Sequence, residues 1–116
     1  MTARRDPERL LPLTPVVFYS LLALAEGPRH GYALAREVEG ASEGRIRMGP
    51  GTLYGSLQRM QDEGLVEEAR NPGEGGAHAE RRRYYRLTAF GRAVLGAETE
   101  RLADAVRLAR ARIGAS

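Results

Sequence analysis

Apolar positions recur every three to four residues in four stretches of the chain and alternate in shorter stretches between them. Val17, Leu21 and Leu24, with Phe18, Leu22 and Ala25 beside them, predict a helix over residues 15–25. Thr14-Pro15 is a hydroxyl cap followed by proline in the first turn, and Glu26-Gly27-Pro28 is a stop. "HGYALAREVEGAS" (30–42) predicts a second helix, with Leu34 and Val38 inward and Arg36, Glu37 and Glu39 outward, broken by the cluster from Gly40 to Gly44. Pro50 opens a third, whose inner face is Leu53, Leu57 and Met60 and which Gly64 ends.

Arg45-Ile46-Arg47-Met48 alternates polar and apolar, which predicts a very short strand. Leu65 to Arg70 and residues 81–88 ("RRRYYRLT") read as two longer strands, with Tyr85 and Leu87 on one face of the second and Tyr84 and Arg86 on the other. The stretch between them (71–80, "NPGEGGAHAE") holds three glycines and a proline, so the pair is a β-hairpin with a long tip. Thr88 caps a last helix that runs to about Ile113. Along it Leu95, Leu102, Val106, Ala109 and Ile113 follow the seven-residue spacing of a coiled-coil seam, with Thr99 its polar member and Arg101, Asp104, Arg107, Arg110 and Arg112 off the seam.

Helices followed by a two-stranded hairpin make an α+β, mostly α architecture, the winged helix-turn-helix, in which the third helix enters the DNA major groove and the hairpin flanks it as the wing. The division is a loose N-terminal arm (1–13), a winged-helix domain (14–88) and a C-terminal dimerisation helix (89–116). With Leu53, Leu57 and Met60 turned inward, the third helix is left with Thr52, Gly55, Ser56 and Arg59 on its outer side. Small residues there let a backbone approach base edges closely. Arg59 has the fork to pair with a guanine edge or a phosphate, and the sequence does not choose between them. Tyr54 borders the inner face, where it either packs or offers its hydroxyl to a phosphate. Arg81, Arg82, Arg83 and Arg86 put four positive charges at the root of the wing. Such a run is often only a solvated face, but here it suits contacts that position a protein on the DNA backbone without reading sequence.

Composition adds exclusions. The 116 residues include no cysteine, so disulfides, thiolate metal sites and a cysteine nucleophile are out. All 18 basic residues are arginine, which suits an anionic partner, although a coding bias gives the same count and the formal charge is only +3. "PVVFYSLLALA" (15–25) is shorter than the roughly 20 residues a bilayer span needs. Ala23-Leu24-Ala25 looks like a leader cleavage site, but Asp6 and Glu8 stand where a leader is basic, so a cytoplasmic protein is expected. "GEGG" (73–76) lacks the lysine and hydroxyl of a phosphate-cradling loop and reads as the wing tip. His30 and His78 are the two histidines, too few for a metal site, and His30 reads as a helix cap. No cofactor and no catalytic activity are expected. The last helix carries more apolar face than one small domain needs, which predicts a homodimer and, by its symmetry, an inverted-repeat operator.

"HGYALARE" (30–37), "GPGTLYGSLQRMQDEGLV" (49–66) and "RRRYYRLTAFG" (81–91) together resemble the three signature stretches of the PadR family of transcriptional regulators, in order and spacing, from about Thr14 to Gly91. The resemblance implies a bacterial winged-helix repressor that dimerises through its C-terminal helix, here like the short branch of the family. By the same resemblance Thr52 and Tyr54 belong to the recognition-helix motif, Arg81 to Arg83 to the basic end of the wing, and Tyr85 to its core. Gly49, where serine is common, and Gly55, where proline is common, depart from the pattern. Two other readings remain open. One is a winged-helix module that binds protein through its hairpin face. The other, implied by the resemblance, is a sensor of an aromatic or drug-like effector at the dimer interface, with Phe18, Tyr19, Tyr32 and Phe90 as lining residues.

Overall fold

The computed structural model describes residues 5–70 and 83–114. A 3-10 helix (Pro7–Leu10) leads into α1 (Pro15–Ala25), β1 (Arg29–His30), α2 (Gly31–Ala41), α3 (Pro50–Asp62), β2 (Val66–Ala69), β3 (Tyr84–Leu87) and α4 (Ala89–Ile113). The helix ends are set by the residues that the pattern singled out. Thr14 accepts from the Val17 amide at the start of α1, and Thr88 accepts from the Gly91 amide at the start of α4. Gly64 ends α3 with φ at +77°: its amide bonds to Gln61 O while the Leu65 amide reaches back to Met60 O. Those two bonds are a Schellman turn, which needs a left-handed residue that only glycine adopts without strain.

The sheet is three-stranded and antiparallel in the order β1-β3-β2, with Arg29 opposite Tyr85, His30 opposite Tyr84, and Val66 to Ala69 opposite Leu87 to Tyr84. The two-stranded hairpin is thus one strand short among the described residues, and the extra strand is not the one expected at 45–48. That stretch is irregular. Residues 29–30 are the strand instead, because β3 leaves an open edge that a two-residue segment entering α2 can pair with. A middle position also explains why both Tyr84 and Tyr85 are buried, where simple alternation put them on opposite faces of a half-covered strand.

Leu21, Leu24, Leu34, Val38, Leu57, Met60, Leu65 and Val94 form the centre of the core, each 1% exposed or less. Full burial of one such aliphatic side chain stabilises by about 1.5–3 kcal/mol. The arm is not loose from residue 5 onward. Leu10, Leu11 and Leu13 pack against the core, and the Leu13 amide donates to Glu98 of α4 at 2.9 Å. Proline and charge hid this docking, since a 3-10 turn of four residues is too short to show a period.

Candidate nucleic-acid interface

The site is built on α3. Leu53, Ser56, Leu57 and Met60 are its buried residues, and Thr52, Tyr54, Gly55, Gln58 and Arg59 are exposed. Ser56 therefore leaves the outward set expected from the sequence. It stands three residues after Leu53 and four before Met60, which is the spacing of the inner stripe, and at 6% exposure it flanks the core. Thr52, Gly55 and Arg59 remain at i, i+3 and i+7 on the open side. Gly55 sits in open space, so the backbone is bare there. The Arg59 guanidinium has no carboxylate partner among the described residues, and Gln58 is tied to Asp62 at 3.0 Å. Pro50 occupies the first turn and Gly49 caps α3 without a side-chain bond.

The basic residues around α3 differ in how far they are neutralised. Arg86 on β3 is bonded across the strands to Glu67 at 2.7 Å, so its charge is shared. Arg45 and Arg47, in the connection between α2 and α3, lie 3.8 Å from Glu43 and Glu39. Pairs this exposed and this long hold weakly and leave arginine free to exchange partners. Arg83 precedes β3, and its charge acts on the Tyr85 phenol. Burial pushes the Tyr85 phenol above its ordinary value, Glu68 adds to the rise, and Arg83 opposes it. Arg81 and Arg82, the wing tip at 73–76 and His78 lie outside the described residues.

At the start of α2, His30 Nδ1 accepts from the Ala33 amide at 3.2 Å, the cap expected of it, and its ring meets Tyr84 edge-on at 5.5 Å. Tyr32 and Tyr54 face a cavity of about 320 Å³ between α2 and α3, with Arg36 above the Tyr32 ring at 5.8 Å. Of the aromatic residues named for an effector site, only Tyr32 lines this cavity. Phe18 and Tyr19 pack on each other, and Phe90 lies under the Arg5 guanidinium at 4.2 Å.

The apolar seam of α4 divides in two. Leu95 lies in the core of the domain, while Leu102 is half-buried and Val106, Ala109 and Ile113 are exposed. Leu108, which the heptad spacing leaves out, is exposed as well. Glu98 was not singled out in the sequence. It is 1% exposed and receives Arg101 through Nε at 2.5 Å and Nη2 at 3.0 Å. The Arg101 bond, with the Leu13 amide behind it, holds the Glu98 carboxyl below its ordinary range against the opposing effect of burial. A glutamate on a charged helix gives no sequence signal of this kind. Among the described residues no helix is long and apolar enough to cross a membrane.

Compared with known proteins, the chain matches the transcriptional regulator PadR-like family over residues 21–97. It is 40% identical over 83 residues to an uncharacterized 37.1 kDa protein in transposon TN4556 of Streptomyces fradiae, covering 72% of this chain and 21% of that protein. It is 28% identical over 75 residues to an uncharacterized protein X of Lysinibacillus sphaericus, covering 65% of this chain and 66% of that one. The chain thus spans about a fifth and about two thirds of the lengths of these relatives. Among solved structures it is similar to a PadR family transcription regulator from Clostridium difficile, with a TM-score of 0.68 and 20% identity over 87% of this chain and 100% of that one. A probable transcriptional regulator from Pseudomonas aeruginosa gives 0.67 and 27% identity over 90% of this chain and 70% of that one.

Proposed function

This chain belongs to the PadR-like family of transcriptional regulators, and we propose that it acts as a repressor whose homodimer binds an inverted-repeat operator in double-stranded DNA. The family's members are transcriptional regulators rather than enzymes. In this reading α3 enters the major groove, Arg59 reaches a guanine edge or a phosphate from its open side, and Thr52 supplies a hydroxyl near the helix start. Arg81, Arg82, Arg83 and Arg86 position the wing on the backbone, with Arg86 exchanging Glu67 for a phosphate. The distal half of α4 (Leu102, Val106, Ala109, Ile113) pairs with a second copy, which sets two α3 helices about one helical turn of DNA apart. Repression is steric, by occupation of a promoter.

The observation that carries the reading is the outer face of α3, where Thr52, Gly55 and Arg59 are exposed and Arg59 has no carboxylate partner among the described residues. The test is titration of the protein against its own upstream region and against random duplex, in rising salt. The expected result is preference for the upstream fragment, with affinity falling linearly on logarithmic axes as counterions are released. Absence of binding at low salt contradicts the reading and leaves the protein-binding module.

A further inference from the structure

Gly31 opens α2 and is buried. The reason lies across the junction with α3. A Cβ at position 31 would stand 2.8 Å from the Tyr54 Oη and 3.1 Å from its Cε1 and Cζ. The tyrosine ring therefore rests on the bare backbone of the first turn of α2, although Tyr54 is 47% exposed. It also borders open space, since Tyr54 lines the cavity of about 320 Å³ together with Tyr32, Met48, Pro50 and Leu53. Contact on one side and room on the other decide what a methyl group at position 31 would do. The clashing atoms belong to the outer end of a side chain with a void to swing into, so the ring yields before the two helices part.

We propose that Gly31 is a positioning residue for DNA binding. By carrying no side chain it lets Tyr54 lie against α2 and holds the tyrosine hydroxyl toward a backbone phosphate. This rests on the reading of α3 as the DNA-facing helix. A phenol already fixed by packing loses little rotamer freedom on binding, so the seat that fixes it governs the strength of the contact. Ring and glycine act as one unit: the glycine matters only while the tyrosine is present.

The experiment compares Gly31→Ala, Tyr54→Ala and the double variant with the full chain by DNA-binding anisotropy on the upstream duplex at one salt concentration, with thermal melts alongside. A hydrogen bond to a charged phosphate is worth roughly tenfold in affinity. Gly31→Ala should therefore bind about tenfold more weakly than the parent while melting within a few degrees of it, because alanine's better helix propensity offsets the residual crowding. The double variant should bind no more weakly than Tyr54→Ala. In the free proteins, nitration of Tyr54 by tetranitromethane, mapped by mass spectrometry, should be faster in Gly31→Ala than in the parent. Unchanged affinity in Gly31→Ala, multiplying losses in the double variant, unchanged nitration, or a Gly31→Ala variant that no longer folds would each overturn the proposal. A parent protein that does not bind duplex DNA overturns the reading of α3 itself, and the nitration result then reports separately whether Gly31 seats Tyr54.

Discussion

The two halves of α4 carry the same apolar repeat and are used differently. In the first, Gly91, Val94, Leu95 and Glu98 are buried against the domain, and an added side-chain atom at Gly91 would collide with the Leu65 carbonyl. In the second, Val106 is 46% exposed, Leu108 53% and Ile113 81%. Helix formation does not distinguish them, since one continuous α-helix covers Ala89–Ile113. What differs is the neighbour. The 3-10 helix, α1 and β3 pack on this helix, and its buried residues, Gly91 to Glu98, all lie in the first half. Glu98, bonded to Leu13 and Arg101, stands at the last buried position and marks the border. A hydrophobic period thus states that a face wants covering and leaves open what covers it.

Substitutions on the two sides of that border should separate folding from association. Leu95→Ala removes a core side chain of the first half and should cost about 3 kcal/mol in chemical denaturation, with no specific effect on self-association among the molecules still folded. Val106→Asp combined with Ile113→Asp should do the reverse. Sedimentation should show a dimer weakened at least about 100-fold, roughly 2.7 kcal/mol, while the denaturation midpoint measured at a concentration where the parent is monomeric stays unchanged. If both pairs of measurements moved together, the two halves would not be distinct in use.

Glu98→Gln tests the border itself, and its effect should be smaller, about 1–2 kcal/mol at neutral pH, from the loss of charge-assisted bonds to Arg101 and Leu13. The sign with pH follows from the direction of the shift. The Glu98 carboxyl is held below its ordinary value of 4.5 in the folded chain, so its contribution is present above that value and is lost as pH falls through the folded one. Denaturation curves of parent and variant should differ at pH 7 and converge in acid. A gap that persists at the lowest pH where the parent folds would assign the effect to packing rather than charge.

The parts of the fold that were legible in the sequence are those set by local rules. Thr14-Pro15, Gly64 and Thr88 gave the helix ends within a residue, because caps act on their own turn. Leu53, Leu57 and Met60 gave the inner face of α3 for the same reason. Ser56 is not placed by local spacing alone, since it stands four residues after Thr52 and also three after Leu53 and four before Met60, and packing against the core decides for the buried side. The third strand at Arg29–His30 was not legible, since two residues carry no period and their partner, β3, lies more than fifty positions away. The docking of the arm and the burial of Glu98 are likewise long-range: each depends on the other, and neither leaves a mark near its own position.

The most direct test of the account is the affinity of Arg59→Ala for the upstream fragment and for random duplex of the same length, at one salt concentration. Arg59 lies on the open side of α3 and has no carboxylate partner among the described residues. If it reads a base, the variant should lose about tenfold or more on the upstream fragment and little on random DNA, since a good bidentate pair discriminates by about 1–3 kcal/mol. Equal losses on both would make Arg59 a backbone contact, and no loss on either would contradict the placement of α3 in the groove.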